Sequence, residues 1–205
     1  LRIVNMGLIS NGTTLLDAGA TSSGVFSGTM VLLSSQTLSN AATVSFTSGI
    51  DSTYKEYVFK FIDVHPVTDQ KNLSFQVDTG TNTNYNQTIT SAFYWAYHNE
   101  ADTTATLEYY TGGDQNQGNA FQVITEATGN VADECSCGTL HLYDPASSTF
   151  LKHFMATTQT AEGSGHSTQS YVAGYINTTT AITRVQFKFN SGNIDSGIIK
   201  MYGIT

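Results

Sequence analysis

The sequence predicts an all-β fold, an antiparallel two-sheet β-sandwich of jelly-roll-like form with an extended N-terminal arm. Apolar and polar residues alternate with a period of two in run after run, the pattern of strands with one buried and one wet face. Thr, Ser, Asn and Gln supply the polar faces. Only 12% of the 205 residues are charged, and no stretch gathers the Glu, Lys, Arg and Ala of a long helix. Gly, Asn and Asp break the runs at intervals of roughly 8–20 residues, which gives about ten strands.

Residues 1–29 stand apart from the rest. The apolar doublets Leu8-Ile9, Leu15-Leu16 and Val25-Phe26 are separated by Gly, Ser and Thr, with no sustained period of strand or helix. Such a segment buries little against itself, so it is an extended arm or a disordered tail, and the spaced apolar pairs favour an arm that docks through those side chains. The sandwich is expected over residues 30–205. Its first strands are residues 30–34 and 42–46, and the clearest is 56–64, with Tyr57, Phe59 and Phe61 on one face and Pro66 as its stop. Leu73, Phe75 and Val77 alternate in the next, which a Thr- and Asn-rich loop starting at Asp78 closes. Residues 88–97 form an aromatic-rich strand and 106–110 a short one, while 112–130 carry the weakest pattern. Leu140 and Leu142 point inward from 138–143, and residues 150–156, 171–176, 181–189 and 198–202 complete the set. Val185, Phe187 and Phe189 make the apolar face of one of these. The following Ser191-Gly192-Asn193 supplies a reversal, because Gly and Asn accept positive φ.

Net charge is −8, and the eight Lys and Arg form no cluster, which argues against nucleic acid and against an anionic membrane surface as partners. No apolar run approaches the length of about 18 residues that a spanning helix needs, and no basic-then-apolar leader opens the chain. Cys135 and Cys137 are one residue apart, a spacing that strains a disulfide. Two thiols alone do not complete a tetrahedral zinc site, even with His141 close in sequence. Free thiols, no metal and no cofactor are therefore expected.

The remaining chemistry is sparse. An iron site of oxygenase type needs two histidines and a carboxylate. Among His65, His98, His141, His153 and His166, the nearest approach is His98-Asn99-Glu100 with His141 or His153 as a distant partner. Each of these histidines also suits a strand end or a polar strand face. No G-x-S-x-G elbow is present, and nothing marks a catalytic pair among Glu56, Glu100, Glu108, Glu126, Glu134 and Glu162. Asp78, Asn82 and Asn84 offer oxygens loosely like a calcium loop but lack the closing bidentate Glu, so they read as a turn. The chain is expected not to be an enzyme. One constellation suits a ligand: Tyr94, Trp95, Tyr97, Tyr109 and Tyr110, flanked by Asn and Asp, have the composition of a glycan-stacking platform. The competing reading is that alternate residues of this strand are simply core.

Residues 45–66 (SFTSGIDSTYKEYVFKFIDVHP), 89–102 (ITSAFYWAYHNEAD), 138–154 (GTLHLYDPASSTFLKHF) and the C-terminal stretch resemble a family of small virion proteins of tailed bacteriophages of marine bacteria. Met6-Gly7-Leu8-Ile9-Ser10-Asn11-Gly12 resembles that family's start, and residues 1–5 lie upstream of it. The family has no catalytic motif to carry over. The resemblance implies a structural protein on the particle surface, made in the host cytoplasm and anchored to capsid or tail by the arm. It also implies other virion proteins as partners, a symmetric homo-oligomer such as a trimer, and, for a tail-fibre-type adhesin, a host-surface glycan or receptor.

Overall fold

The computed structural model describes residues 30–205 throughout and, within residues 1–29, the backbone of three short strands. These are β1 (Leu8–Ser10), β2 (Thr13–Asp17) and β3 (Ala20–Thr21), which pair antiparallel with one another in that order. Of the residues expected to anchor the arm, Leu8, Ile9, Leu15 and Leu16 fall in these strands, where only the backbone is described. Val25 and Phe26 lie outside the described residues.

The body holds β4 (Met30–Ala41), β5 (Val44–Phe46), β6 (Glu56–Pro66), β7 (Leu73–Thr79), β8 (Ile89–Asn99) and β9 (Ala105–Tyr109). It continues with β10 (Gln122–Val123), β11 (Ser136–Tyr143), β12 (Lys152–Ala161), β13 (His166–Ile176), β14 (Ile182–Phe189) and β15 (Ile194–Ile204). A large sheet of eight strands runs β4-β15-β6-β11-β12-β13-β8-β9, and a small one of four runs β10-β7-β14-β5. Every pairing in both is antiparallel. The all-β, two-sheet sandwich that the alternation predicts is present.

The core lies between the sheets. Phe187 on β14 meets Phe46, Phe59 and Phe61 edge-on, with ring centroids 6.1, 5.3 and 5.2 Å apart, and Phe75 packs likewise on Phe154 at 5.0 Å. Such pairs add to simple burial because ring edges are positive and faces negative. Leu140, Leu142, Val185 and Ile199 fill the layer around them, all buried. Toward β12 and β13 the interior turns polar. Thr125, Thr128, Ser136 and Thr160 form a buried hydroxyl chain with successive O···O distances of 3.3, 2.7 and 3.0 Å, and the Thr158 hydroxyl donates to the Ile124 carbonyl at 2.5 Å. Each of these five hydroxyls has a partner, which removes most of its desolvation penalty, whereas the buried Ser170 hydroxyl on β13 has none among the described residues.

Central strand β6 is bulged. Its pairing steps from Val64↔Ser136 to Phe61↔Gly138 on one side and from His65↔Ser196 to Ile62↔Ile198 on the other, one extra residue against both neighbours. Asp63 sits at this point with φ +50, and Gly197 of β15 faces it with φ +122. A Cβ on Gly197 would lie 2.7 Å from the Asp63 carbonyl oxygen, so the bulge requires glycine there.

Candidate functional site

Because side chains alternate across a strand, the five aromatics around Trp95 cannot share one face. Tyr94 pairs with Tyr109 across β8 and β9, and both face outward, 46% and 52% exposed. Trp95, Tyr97 and Tyr110 turn to the inner side. The single platform expected from sequence is therefore corrected to two separate surfaces, and the core reading holds for the inner set only in part.

The inner group forms a cleft. Trp95 stacks on Tyr110 at 4.3 Å with planes 15° apart, and meets Tyr97 edge-on at 5.6 Å. Its Nε1–H donates to Glu108 Oε1 at 2.9 Å, which fixes the indole plane. Phe93, fully buried beneath, supports Tyr110 edge-on at 5.3 Å. Trp95, Tyr97, Thr104, Glu162 and His166 line a hollow of about 250 Å³. Glu162 accepts from the hydroxyls of Ser164, at 3.0 Å, and Thr168, and its Oε2 lies 3.7 Å from His166 Nδ1. The His166 ring stands edge-on to Tyr97 at 5.4 Å.

A second carboxylate approaches from the 112–130 segment. Glu126 accepts from Asn72 Nδ2 at 2.8 Å and from the Tyr110 hydroxyl at 3.4 Å. Burial pushes its carboxyl up to about 7 from an ordinary 4.5, with the charge of Glu162 adding to the rise and the two hydrogen bonds opposing it. Burial, followed by the Glu126 charge, raises the Tyr110 hydroxyl in turn. Aromatic faces beside carboxylates and an imidazole are what a polyhydroxylated ligand needs, since its C–H faces stack and its hydroxyls donate. Glu126, Glu162 and His166 were not singled out as a group by sequence. Glu162 and His166 flank the single turn between β12 and β13, and Glu126 comes from a distant loop with no motif spacing to link it to them.

The outer face of the large sheet is a different surface. Tyr94 stacks on Tyr171 at 4.9 Å with planes 11° apart, and His141 lies over Tyr143 at 6.2 Å. Met155 and Leu107 stand out from the same face, 54% and 72% exposed. A shallow depression beside them is lined by Tyr143, His153, Met155, Ala173 and Tyr175.

The histidines do not converge on a metal. Each of four has a carboxylate of its own: His65 with Asp195 at 3.3 Å, His98 with Asp102 at 3.0 Å, His141 with Glu56 at 2.5 Å, and His166 with Glu162. His153 instead packs near Tyr175 at 6.3 Å. Asp78 is buried and accepts from the backbone N–H of Thr79 and Tyr85, both at 2.9 Å, so it organises its loop as a turn. Among the described residues one cluster has metal-ligand proximity: Asp63, Cys135 and Cys137, whose donor atoms all lie within 4.8 Å of one another. Both thiols are free. Burial pushes the Cys135 thiol up to about 11, and the charges of Cys137 and Asp63 push in the same direction. His141, the further donor that sequence proximity suggested, is engaged with Glu56 instead.

No protein-family model matches the chain, and no curated protein is similar enough to it to count as a match.

Proposed function

We propose that this chain is a non-enzymatic structural module of a bacteriophage particle surface, a jelly-roll-like body carried on an N-terminal arm. The observation that carries the reading is the strand order. Without the two hairpins β8–β9 and β12–β13, eight strands remain, in the orders β4-β15-β6-β11 and β10-β7-β14-β5. Counted in chain order, these are 1-8-3-6 and 5-4-7-2, an order that supports reading the body as two Greek keys wrapped into a jelly roll. The inserted hairpins widen one sheet into a broad face bearing Tyr94, Tyr171, Met155 and Leu107. A wide, weakly charged face with exposed aromatics suits packing against neighbouring virion proteins or a second and third copy of the chain. Residues 1–29, with spaced apolar doublets, suit anchoring to capsid or tail. The test is incorporation of a chain lacking residues 1–29 into particles, with its position read by electron microscopy. Loss of incorporation is expected, and wild-type occupancy without the arm overturns the anchoring role.

A second reading, an adhesin for a host-surface glycan, is favoured by the cleft around Trp95. Its measure is retention on immobilised host polysaccharide, which Trp95→Ala is expected to abolish while Tyr94→Ala on the opposite face leaves it intact. Equal retention by both variants removes this reading.

A further inference from the structure

We infer that Asp63, Cys135 and Cys137 form a binding site for a thiophilic divalent cation of the zinc type, with two thiolates, one carboxylate and a fourth position open to water. Three observations carry the site. The first is distance. Zinc–sulfur and zinc–oxygen bonds of about 2.3 and 2.0 Å, set at the tetrahedral angle, place a sulfur and an oxygen about 3.5 Å apart. Asp63 Oδ1 lies 3.5 Å from Cys137 Sγ and 3.9 Å from Cys135 Sγ. The carboxylate oxygen already stands close to ligand spacing from each sulfur, and all three donor atoms lie within 4.8 Å of one another.

The second is the backbone that brings them together. Asp63 is the extra residue of the β6 bulge, held at φ +50 and facing a glycine that the bulge requires. Its own N–H donates to Cys137 Sγ at 3.3 Å, which holds that sulfur beside the bulge. Bulges in central strands re-aim a side chain, and here the re-aimed group is the carboxylate that two thiols alone lack. The third is charge. No lysine or arginine forms a hydrogen bond or ion pair with any of the three groups among the described residues. The hollow that Asp63 and Cys135 share is also lined by Asp133, Glu134 and Asp195. Three donors that are anionic when deprotonated, set in acidic surroundings, leave a cation as the group that would neutralise them.

Binding would displace the two thiol protons, so two protons leave per ion taken up. The ion would join β6 to the residues that open β11, acting as a clip across the large sheet. Its fourth position faces solvent, as the partial exposure of the cluster requires.

The test uses the full chain, freed of metal and reduced, titrated with Co²⁺ as a spectroscopic stand-in and with Zn²⁺. One equivalent of Co²⁺ is expected to give thiolate-to-metal charge-transfer absorption together with the strong d–d bands of a tetrahedral ion. Zn²⁺ should displace it, and at a hundredfold excess over Kd should raise Tm by about 5–10 °C. Cys135→Ser and Cys137→Ser are expected to remove the charge-transfer band. Asp63→Asn is expected to weaken Zn²⁺ binding at least about tenfold. Asn tolerates the left-handed backbone, so this variant keeps the bulge, and an unchanged far-UV CD spectrum separates ligand loss from unfolding. Co²⁺ spectra without thiolate bands, or Zn²⁺ affinity unchanged in Cys137→Ser, overturn the site. So does oxidation of the pair to a disulfide in preference to metal uptake.

Discussion

Replacing Glu126 by Gln tests the cleft through its pH dependence. The folded protein holds the Glu126 proton with an affinity near pH 7, against 4.5 for an ordinary glutamate. A folded state that binds a proton more tightly than the unfolded chain loses stability as pH rises between those two values. The full gap corresponds to roughly 3.4 kcal/mol at about 1.36 kcal/mol per tenfold change in proton affinity. The carboxyl is only half-buried and partly screened, which reduces the expected effect to about 1.5 kcal/mol. For a domain of this size that is a Tm difference of about 3–6 °C. Gln keeps an acceptor for Asn72 and Tyr110 but never ionises. Tm of the two proteins, measured from pH 4 to 8.5 at fixed salt, is expected to coincide near pH 4 and diverge with the variant higher by pH 8. All other titrating groups are shared, so the difference curve isolates this one. Glu162→Gln, which removes the neighbouring charge, is expected to shift the window to lower pH. Parallel curves for wild type and Glu126→Gln across the range would refute the reasoning.

Two further perturbations probe the body. Lys152 is buried and its ammonium donates to the carbonyls of Ser147, Phe150 and Thr178 at 2.6, 3.0 and 3.2 Å. Lys152→Met leaves all three acceptors without that donor and is expected to cost about 3 kcal/mol in urea unfolding, with a loss under about 1 kcal/mol counting against this role. Phe187→Ala removes the ring at the centre of the aromatic cluster and is expected to cost about 3–5 kcal/mol, read as a lower denaturation midpoint at unchanged m-value.

Strands that bury one apolar face were legible in the sequence. Tyr57, Phe59 and Phe61, then Leu73, Phe75 and Val77, then Val185, Phe187 and Phe189 are all buried as the alternation predicts. The C-terminal half of β12 and the N-terminal half of β13 were not, because Thr158, Thr160, Thr168 and Ser170 occupy the inner face there. A hydroxyl buried against the other sheet, as those of Thr158 and Thr160 are, looks in sequence the same as one facing water. β10 was also obscure, since its two residues owe their place to pairing with β7 rather than to any pattern of their own. For the cleft, the composition around Trp95 pointed to the right strand but mixed its two faces. Glu162 and His166 flank one turn, between β12 and β13, and Glu126 arrives from a loop far away in the chain, so no local period ties either to Trp95. The visible part of the thiol cluster was Cys135 and Cys137. Asp63 was hidden because a bulge changes which way a residue points without changing the sequence pattern around it.

The pairing of β4 with β15 sets Met30 beside Ile204 at the margin of the large sheet. Load passed along the backbone into Met30 enters the body at that corner. Drawn along the axis of β4 and away from Ala41, the load is shared by the whole ladder in shear, because its hydrogen bonds lie across the pull. Drawn sideways from β15, it opens the same ladder one bond at a time, starting at Met30. The margin strand is therefore a directional fastener, firm against tension along its length and easily unzipped across it.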